Sequence, residues 1–161
     1  MKTKSILIAA AAVLSLNSCL KDNKDTCGIV AGSPSATEVT NLRNVLATKG
    51  IAATEDPRGF FYKISFAGTG SESPVSTDTV VISYRGTLTD GTVFDSTATG
   101  VTRKFLLSDL ITGWQVGLPL IKKDGVIDLY LPPAHGYGCT PAGIIPGSAN
   151  IFFRVELRDF Y

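Results

Sequence analysis

Apolar residues change their spacing near residue 60, and the change separates a helical segment from a strand-rich one. The residues before it recur at the three-to-four-residue spacing of an amphipathic helix, at Val39, Leu42, Val45 and Leu46. A helix is therefore predicted over residues 37–50. Ser35 or Thr37 can cap its start, and Gly50 is a suitable stop.

From residue 60 onward, apolar and polar positions alternate, which predicts β-strands. The predicted strands cover residues 60–66, 79–86, 125–132 and 150–160. In the first strand the residues expected to share one face are Phe60, Tyr62, Ile64 and Phe66. Asp90-Gly91 is a tight-turn signal between two strand-like runs, and one more short helix is expected near residues 113–120. The pattern indicates an α+β domain with an antiparallel sheet and a central helix.

The amino-terminal segment has the features of a secretory signal. Lys2 and Lys4 precede residues 5–16, which are almost wholly apolar but shorter than the about 20 residues of a membrane-spanning helix. The run ends in Leu-Asn-Ser-Cys, which resembles a bacterial lipobox and implies cleavage before Cys19 and diacylglycerol on its thiol. The alternative is an ordinary signal followed by an accidental cysteine.

Composition and charge narrow the function classes. The 161 residues are enough for one domain, and 44% hydrophobic with 18% charged residues is an ordinary globular balance. Removal of residues 1–18 leaves thirteen basic and fourteen acidic residues, so no basic surplus suggests nucleic acid. No Cys/His cluster offers a metal site, and no GxSxG motif accompanies His135, the single histidine. By itself, His135 is expected to be a surface loop residue.

Two cysteines remain beside the candidate lipid site. Cys27 and Cys139 would lie outside the cytoplasm, where they can form a disulfide or stay as two unpaired thiols. Both alternatives are open on the sequence.

Four sequence blocks then carry a family resemblance. They are VVISYRGTLTDGTVFDST (80–97), LITGWQVGLPLI (110–121), LYLPPAHGYG (129–138) and GIIPGSANIFFRVEL (143–157). In this order and spacing they resemble the FKBP-type peptidyl-prolyl cis-trans isomerases over residues 59–160. The resemblance implies an antiparallel sheet wrapped around one short helix, an X-Pro peptide as substrate, and no metal or organic cofactor.

The resemblance also implies roles for individual residues. Trp114 is expected to form the floor under the substrate proline, the Ile111 N–H and the Tyr137 hydroxyl to hold carbonyls, and Asp95 to orient Tyr84 at the rim. The expected walls are Tyr84, Phe94, Leu110, Ile111 and Phe153, and the loop over the cleft is expected to contain Ile144 and Ile145.

Some positions depart from the family pattern. Arg103 stands on the rim where many members have an aromatic or small residue, and His135-Gly136 replaces Tyr-Ala. The loop 139–143 is short and lacks the histidine of eukaryotic members. These changes are expected to affect rim specificity and the affinity for macrolides of the FK506 and rapamycin type, rather than the pocket.

These observations predict a lipoprotein with four segments: signal peptide (1–18), flexible tether (19–36), helical extension (37–58) and FKBP-type domain (59–161). We expect an isomerase that assists the folding of exported or surface proteins. It would be held by lipid in the cell envelope, at the outer membrane facing the periplasm or at the cell surface. The alternatives are an FKBP-like binding module or holdase with little isomerase activity, and a structural envelope lipoprotein, which would leave the four blocks unexplained.

Overall fold

The computed structural model describes residues 28–161, so the predicted signal peptide, Cys19 and Cys27 lie outside the described residues. The helices are α1 (Ala36–Thr48) and α2 (Thr112–Gly117). The strands are β1 (Thr54–Asp56), β2 (Phe60–Phe66), β3 (Thr79–Leu88), β4 (Val93–Ser96), β5 (Arg103–Leu106), β6 (Val126–Leu131) and β7 (Ile151–Phe160). Short 3-10 turns cover Leu107–Asp109, Leu118–Leu120 and Pro133–His135.

The strands form one antiparallel sheet in the order β1-β2-β6-β7-β3-β4. β3 has strands on both sides. β7 pairs with one edge of β3, while β5 and β4 pair with successive parts of its other edge. The fold expectation, an antiparallel sheet around a short helix with an N-terminal helix, is confirmed. Every predicted strand is present with bounds that differ by two residues or fewer.

The main core lies between one face of the sheet and α2. Alternate residues of β3, β6 and β7 are buried there together with Trp114 and Leu118, as the period-two pattern predicts. Two glycines let α2 lie close to β6. A Cβ atom on Gly113 would stand 2.4 Å from Leu131 Cδ1, and one on Gly117 would stand 2.6 Å from Leu129 Cδ2.

Helix α1 covers the other face of the sheet. Its Leu42 and Leu46 are buried against Phe61 and Tyr130 in a second, smaller core. The helix begins one residue before its predicted start, and Ser35 caps it in a reciprocal capping box with Glu38.

The four residues of β2 that were predicted to share one face are only partly buried. Phe60 is fully buried and Tyr62 half-buried, but Ile64 and Phe66 are 37% and 52% exposed. Phe61, on the opposite face, is buried instead because α1 lies over it. Both faces are therefore covered where the strand begins, whereas its far end is open to solvent.

The segments before β2 belong to the folded unit. β1 pairs with β2 from Thr54↔Tyr62 to Asp56↔Phe60, across the predicted domain boundary at residue 59. The described end of the predicted tether also contacts the domain, since the Gly32 N–H donates a 2.7 Å hydrogen bond to the Ala134 carbonyl. Within residues 28–161, no helix is both long and apolar enough to cross a membrane.

Candidate functional site

A cleft of about 220 Å³ opens between the sheet and α2. Its lining residues come from four strands, α2 and two loops: Tyr84, Asp95, Arg103, Phe105, Leu110, Ile111, Trp114, Tyr137 and Phe153. A larger groove of about 560 Å³ crosses the outward face of β3 and β7, where it meets polar side chains such as Ser83, Arg85 and Glu156. The smaller cleft is the better candidate, because a buried aromatic cluster forms its floor.

Trp114 forms that floor. It lies in the first turn of α2 and is only 3% exposed. The rings of Tyr84 and Phe153 meet it edge-on, with centroids 5.1 Å and 5.0 Å away and interplanar angles of 79° and 87°. Such perpendicular contacts are favourable for aromatic rings, so the indole is held from two sides.

Phe94 supports the aromatic wall from behind. Its ring stands at 89° to both Phe153 and Tyr137, with centroids 5.3 Å and 6.4 Å away. Gly86 on β3 makes room for this arrangement, because a Cβ atom there would lie 2.6 Å from the Phe94 ring and 2.7 Å from that of Phe153. The glycine of the Tyr-x-Gly motif therefore allows close aromatic packing.

The rim carries two phenols and a carboxylate. The Tyr84 hydroxyl donates a 2.5 Å hydrogen bond to Asp95 Oδ2. Burial, followed by this hydrogen bond, raises the pKa of Tyr84 to about 12. Burial and the charge of Asp95 also raise the pKa of Tyr137, whose side chain is 40% exposed. Both phenols therefore keep their protons at neutral pH.

Ile111 sits at the start of α2 as its N-cap. Its carbonyl accepts hydrogen bonds from the N–H groups of Trp114 and Gln115 at 2.9 and 3.3 Å. Among residues 28–161, no group accepts a hydrogen bond from the Ile111 N–H, so this donor is available to a ligand carbonyl. The Gln115 amide fixes the preceding segment by donating to the carbonyls of Leu110 at 2.7 Å and Ser108 at 3.0 Å.

The structure brings most of the predicted residues together, but not all. Three predicted residues do not line the cleft: Phe94 packs against the core behind it, Ile145 is 5% exposed and belongs to the main core, and Ile144 is 59% exposed. Sequence reasoning missed Phe105 and the positioning role of Gln115. The alternation of Arg103 and Phe105 before the Leu-Ile-x-Gly-Trp block was the available signal for Phe105.

The expectation for His135 was wrong. It is 1% exposed rather than on the surface, its Nε2 lies 2.8 Å from the Arg58 carbonyl oxygen, and the Phe60 ring meets it edge-on at 5.5 Å. The N-terminal segment and α1 contact this turn through Ala134. The Ala134 carbonyl accepts a hydrogen bond from the Gly32 N–H, and the Ala134 N–H donates one to the Glu38 side chain. A histidine in a nominal loop is therefore buried by elements far away in sequence.

Cys139 follows the Tyr137-Gly138 pair and is disulfide-bonded. Its proposed partner, Cys27, lies outside the described residues. The backbone around Cys139 is also closely packed, because a Cβ atom on Gly147 would stand 2.1 Å from the Cys139 carbonyl oxygen. Residues 28–161 contain no cluster of three or more His, Cys, Asp or Glu side chains that could hold a metal ion.

Comparison with known proteins gives consistent matches. The family model for FKBP-type peptidyl-prolyl cis-trans isomerases matches residues 70–158. The FKBP-type peptidyl-prolyl cis-trans isomerase FkpA of Escherichia coli strain K12 is 44% identical over 102 residues, which are 63% of this chain and 37% of that protein. FkpA of Buchnera aphidicola subsp. Schizaphis graminum is 38% identical over 112 residues, 69% of this chain and 44% of the relative. The chain thus spans less than half the length of these relatives.

Solved structures agree with the sequence matches. The crystal structure of FkpA from Escherichia coli superposes with a TM-score of 0.67 at 38% identity, covering 78% of this chain and 58% of that one. A peptidyl-prolyl cis-trans isomerase from Pseudomonas syringae pv. tomato gives a TM-score of 0.66 at 25% identity, covering 79% and 96%.

Proposed function

Because the chain belongs to the family of FKBP-type peptidyl-prolyl cis-trans isomerases, we propose that it catalyses rotation about X-Pro peptide bonds in the cleft above Trp114. The observation that carries this proposal is the buried aromatic floor with polar donors at its rim. The rings of Trp114, Tyr84 and Phe153 pack together at the floor, and Ile111 and Tyr137, whose N–H and hydroxyl are donors, also line the cleft.

The chemistry of the reaction requires such a site. Rotation about a peptide bond has a barrier of about 18–20 kcal/mol, because the resonance of the amide must be broken. The planar amide is strongly polar, whereas the twisted amide has lost much of that polarity. A water-excluding aromatic pocket therefore disfavours the ground state relative to the twisted state, and each tenfold acceleration needs about 1.4 kcal/mol of this difference.

The donors hold the ends of the substrate while its centre turns. In this proposal the Ile111 N–H and the Tyr137 hydroxyl each bind a substrate carbonyl, and Asp95 keeps the Tyr84 ring in place through its hydroxyl. Fixed donors in a water-poor site stabilise a transition state without having to reorganise. The proposed steps transfer no proton and form no covalent bond, so the raised phenol pKa values are compatible with them.

The decisive experiment follows the cis-to-trans relaxation of a Leu-Pro or Phe-Pro peptide with and without the protein. Acceleration by the wild type and a loss of about tenfold in Tyr137→Phe are expected, since one hydrogen bond contributes about 1–1.5 kcal/mol. Tyr137→Phe keeps the ring that contacts Phe94, and circular dichroism checks its fold. A folded wild type without acceleration would reject the isomerase. If that protein still bound unfolded clients, the binding-module alternative would replace it.

The cellular setting is a second part of the proposal. The basic start, the apolar run and Leu-Asn-Ser-Cys support lipidation at Cys19 and attachment to an envelope membrane. Exported or surface proteins would then be the substrates, because uncatalysed X-Pro isomerisation takes tens to hundreds of seconds and can limit their folding. Cells fed a clickable fatty acid should label the wild type but not Cys19→Ala, and equal labelling of both would refute the anchor.

A further inference from the structure

Two charged residues, Asp95 and Arg103, line the cleft, and only one of them has a hydrogen-bond partner in the described part of the chain. Asp95 already accepts the hydrogen bond from Tyr84. The Arg103 guanidinium has no carboxylate within ion-pairing distance and no hydrogen-bond acceptor in the described part of the chain. Arg103 is exposed, so water reaches it, and its five N–H donors are free to meet a ligand.

The register of β5 turns Arg103 toward the cleft. Arg103 pairs with Ile82 and Phe105 pairs with Val80, and both β3 partners are fully buried. Directly opposed residues of antiparallel strands project to the same face, so Arg103 and Phe105 share the face of the main core. Lys104 points the other way and lies 5.5 Å from the centre of the Tyr161 ring. Strand pairing, rather than an acidic neighbour, therefore places this cation at the cleft.

We propose that Arg103 is a specificity residue that favours substrates with an acidic side chain immediately before the proline. The inference rests on the proposed isomerase function. A guanidinium stays charged at all physiological pH values and matches a carboxylate with two parallel N–H donors. Its charge also acts within the site, because it opposes the rise in the pKa of Tyr84 that burial causes.

The expected preference is modest. Arg103 is exposed, and exposed ion pairs are weak. Asp95, on the same cleft, repels an acidic substrate but is partly occupied by the Tyr84 hydroxyl. A Glu-Pro peptide should therefore have a kcat/KM about two- to five-fold higher than the Gln-Pro peptide of the same sequence.

The test compares matched peptides with Glu, Gln or Lys before proline. The wild type should prefer Glu over Gln, and Arg103→Gln should reduce the Glu/Gln ratio to one or below because Asp95 remains. Arg103→Glu should favour the Lys peptide. Lys104→Gln is the matched control, since it removes the same charge from the same strand on the opposite face and should keep the wild-type ratio. Salt at about 1 M should abolish the preference.

Peptide affinity gives a second readout that does not depend on catalysis. Trp114 is the single tryptophan of the chain and forms the cleft floor, so its fluorescence should report binding of each peptide. A wild-type Glu/Gln affinity ratio of one, or an equal loss in Arg103→Gln and Lys104→Gln, would overturn the inference. If no peptide is accelerated, the isomerase proposal fails, while the same affinity ratio still decides the role of Arg103.

Discussion

The hydroxyl of Tyr84 and the carboxylate of Asp95 lie 2.5 Å apart, and their hydrogen bond joins β3 to β4 at the rim of the cleft. The same Tyr84 ring rests edge-on against Trp114. One side chain thus connects the charged rim to the apolar floor. A change at Asp95 should therefore alter both the ionisation of Tyr84 and the position of its ring.

The first prediction concerns this ionisation. In Asp95→Ala, the pKa of Tyr84 should fall from about 12 toward its ordinary value of 10, without reaching it because burial, the larger cause of the rise, persists. Phenolate absorbance during an alkaline titration measures this value when the corresponding Tyr84→Phe curve is subtracted. An unchanged Tyr84 titration in Asp95→Ala would show that the carboxylate does not influence the phenol.

The second prediction follows from the same pKa and concerns stability. Tyr84 holds its proton more tightly in the folded than in the unfolded chain, so its contribution is complete below about pH 10 and is lost as the pH rises toward about 12. Over this range, the free energy of unfolding should fall more for the wild type than for Tyr84→Phe. Denaturant titrations at several pH values measure the difference, and parallel curves would contradict it.

The third prediction concerns Gly86. An alanine methyl group would collide with the rings of Phe94 and Phe153, so Gly86→Ala should lower the free energy of unfolding by about 1–3 kcal/mol and reduce kcat/KM. Thr87→Ala, a change at the next residue of β3, is the control and should leave the cleft rings in place. Chemical denaturation and the relaxation assay measure both effects. Wild-type stability and activity in Gly86→Ala would mean that the rings adjust freely.

The fourth prediction concerns the cysteine beside Tyr137. Cys139 is disulfide-bonded, and we expect Cys27 to be its partner because Cys19 is the candidate lipid site. Mass spectrometry of unreduced protein should find a peptide that contains both Cys27 and Cys139. Cys139→Ser should lower stability by about 2–5 kcal/mol, the usual cost of losing a native disulfide. Two free thiols in protein isolated from the envelope would refute the pairing.

The sequence predicted those elements in which local pattern and tertiary environment agree. β3 and β7 are buried at every second residue because they lie centrally in the sheet, so their alternation is clear. β1, with the sequence Thr-Glu-Asp, and β5, with Arg-Lys-Phe-Leu, were not predicted. Both are short strands stabilised by pairing with a longer neighbour, and this long-range cause leaves little trace in their own residues.

The residues of the site can also be separated into those that local sequence predicted and those whose environment depends on distant segments. Residues within the four motif blocks, such as Tyr84, Trp114 and Phe153, meet in the cleft as expected. The environments of His135 and Ile145 could not be inferred, because burial of a loop residue depends on which distant element covers it. In the case of His135 the contacts come from Arg58 and Phe60, while α1 and the chain before it contact the neighbouring Ala134. Arg58, Phe60, α1 and the chain before it all precede the family match.

The last prediction separates the stability that α1 provides from the activity of the cleft. Leu42 of α1 is fully buried against the face of the sheet that carries Phe61 and Tyr130. Trp114 packs against the opposite face of the sheet. Leu42→Ala should therefore lower the free energy of unfolding by about 2–5 kcal/mol, through lost apolar contact and the cavity it leaves.

Protein that remains folded should keep its wild-type kcat/KM for a Leu-Pro peptide. Asn44→Ala, at an exposed position of the same helix, is the control. It should keep stability or raise it slightly, because it removes no buried contact and alanine has a higher helix propensity than asparagine. Denaturation curves and the relaxation assay, performed on the same samples, measure the two quantities separately. A lower kcat/KM in folded Leu42→Ala would instead mean that α1 supports the cleft. Ala134 lies three residues before Tyr137, and its N–H donates a hydrogen bond to the Glu38 side chain on α1. This hydrogen bond would then be the connection to test.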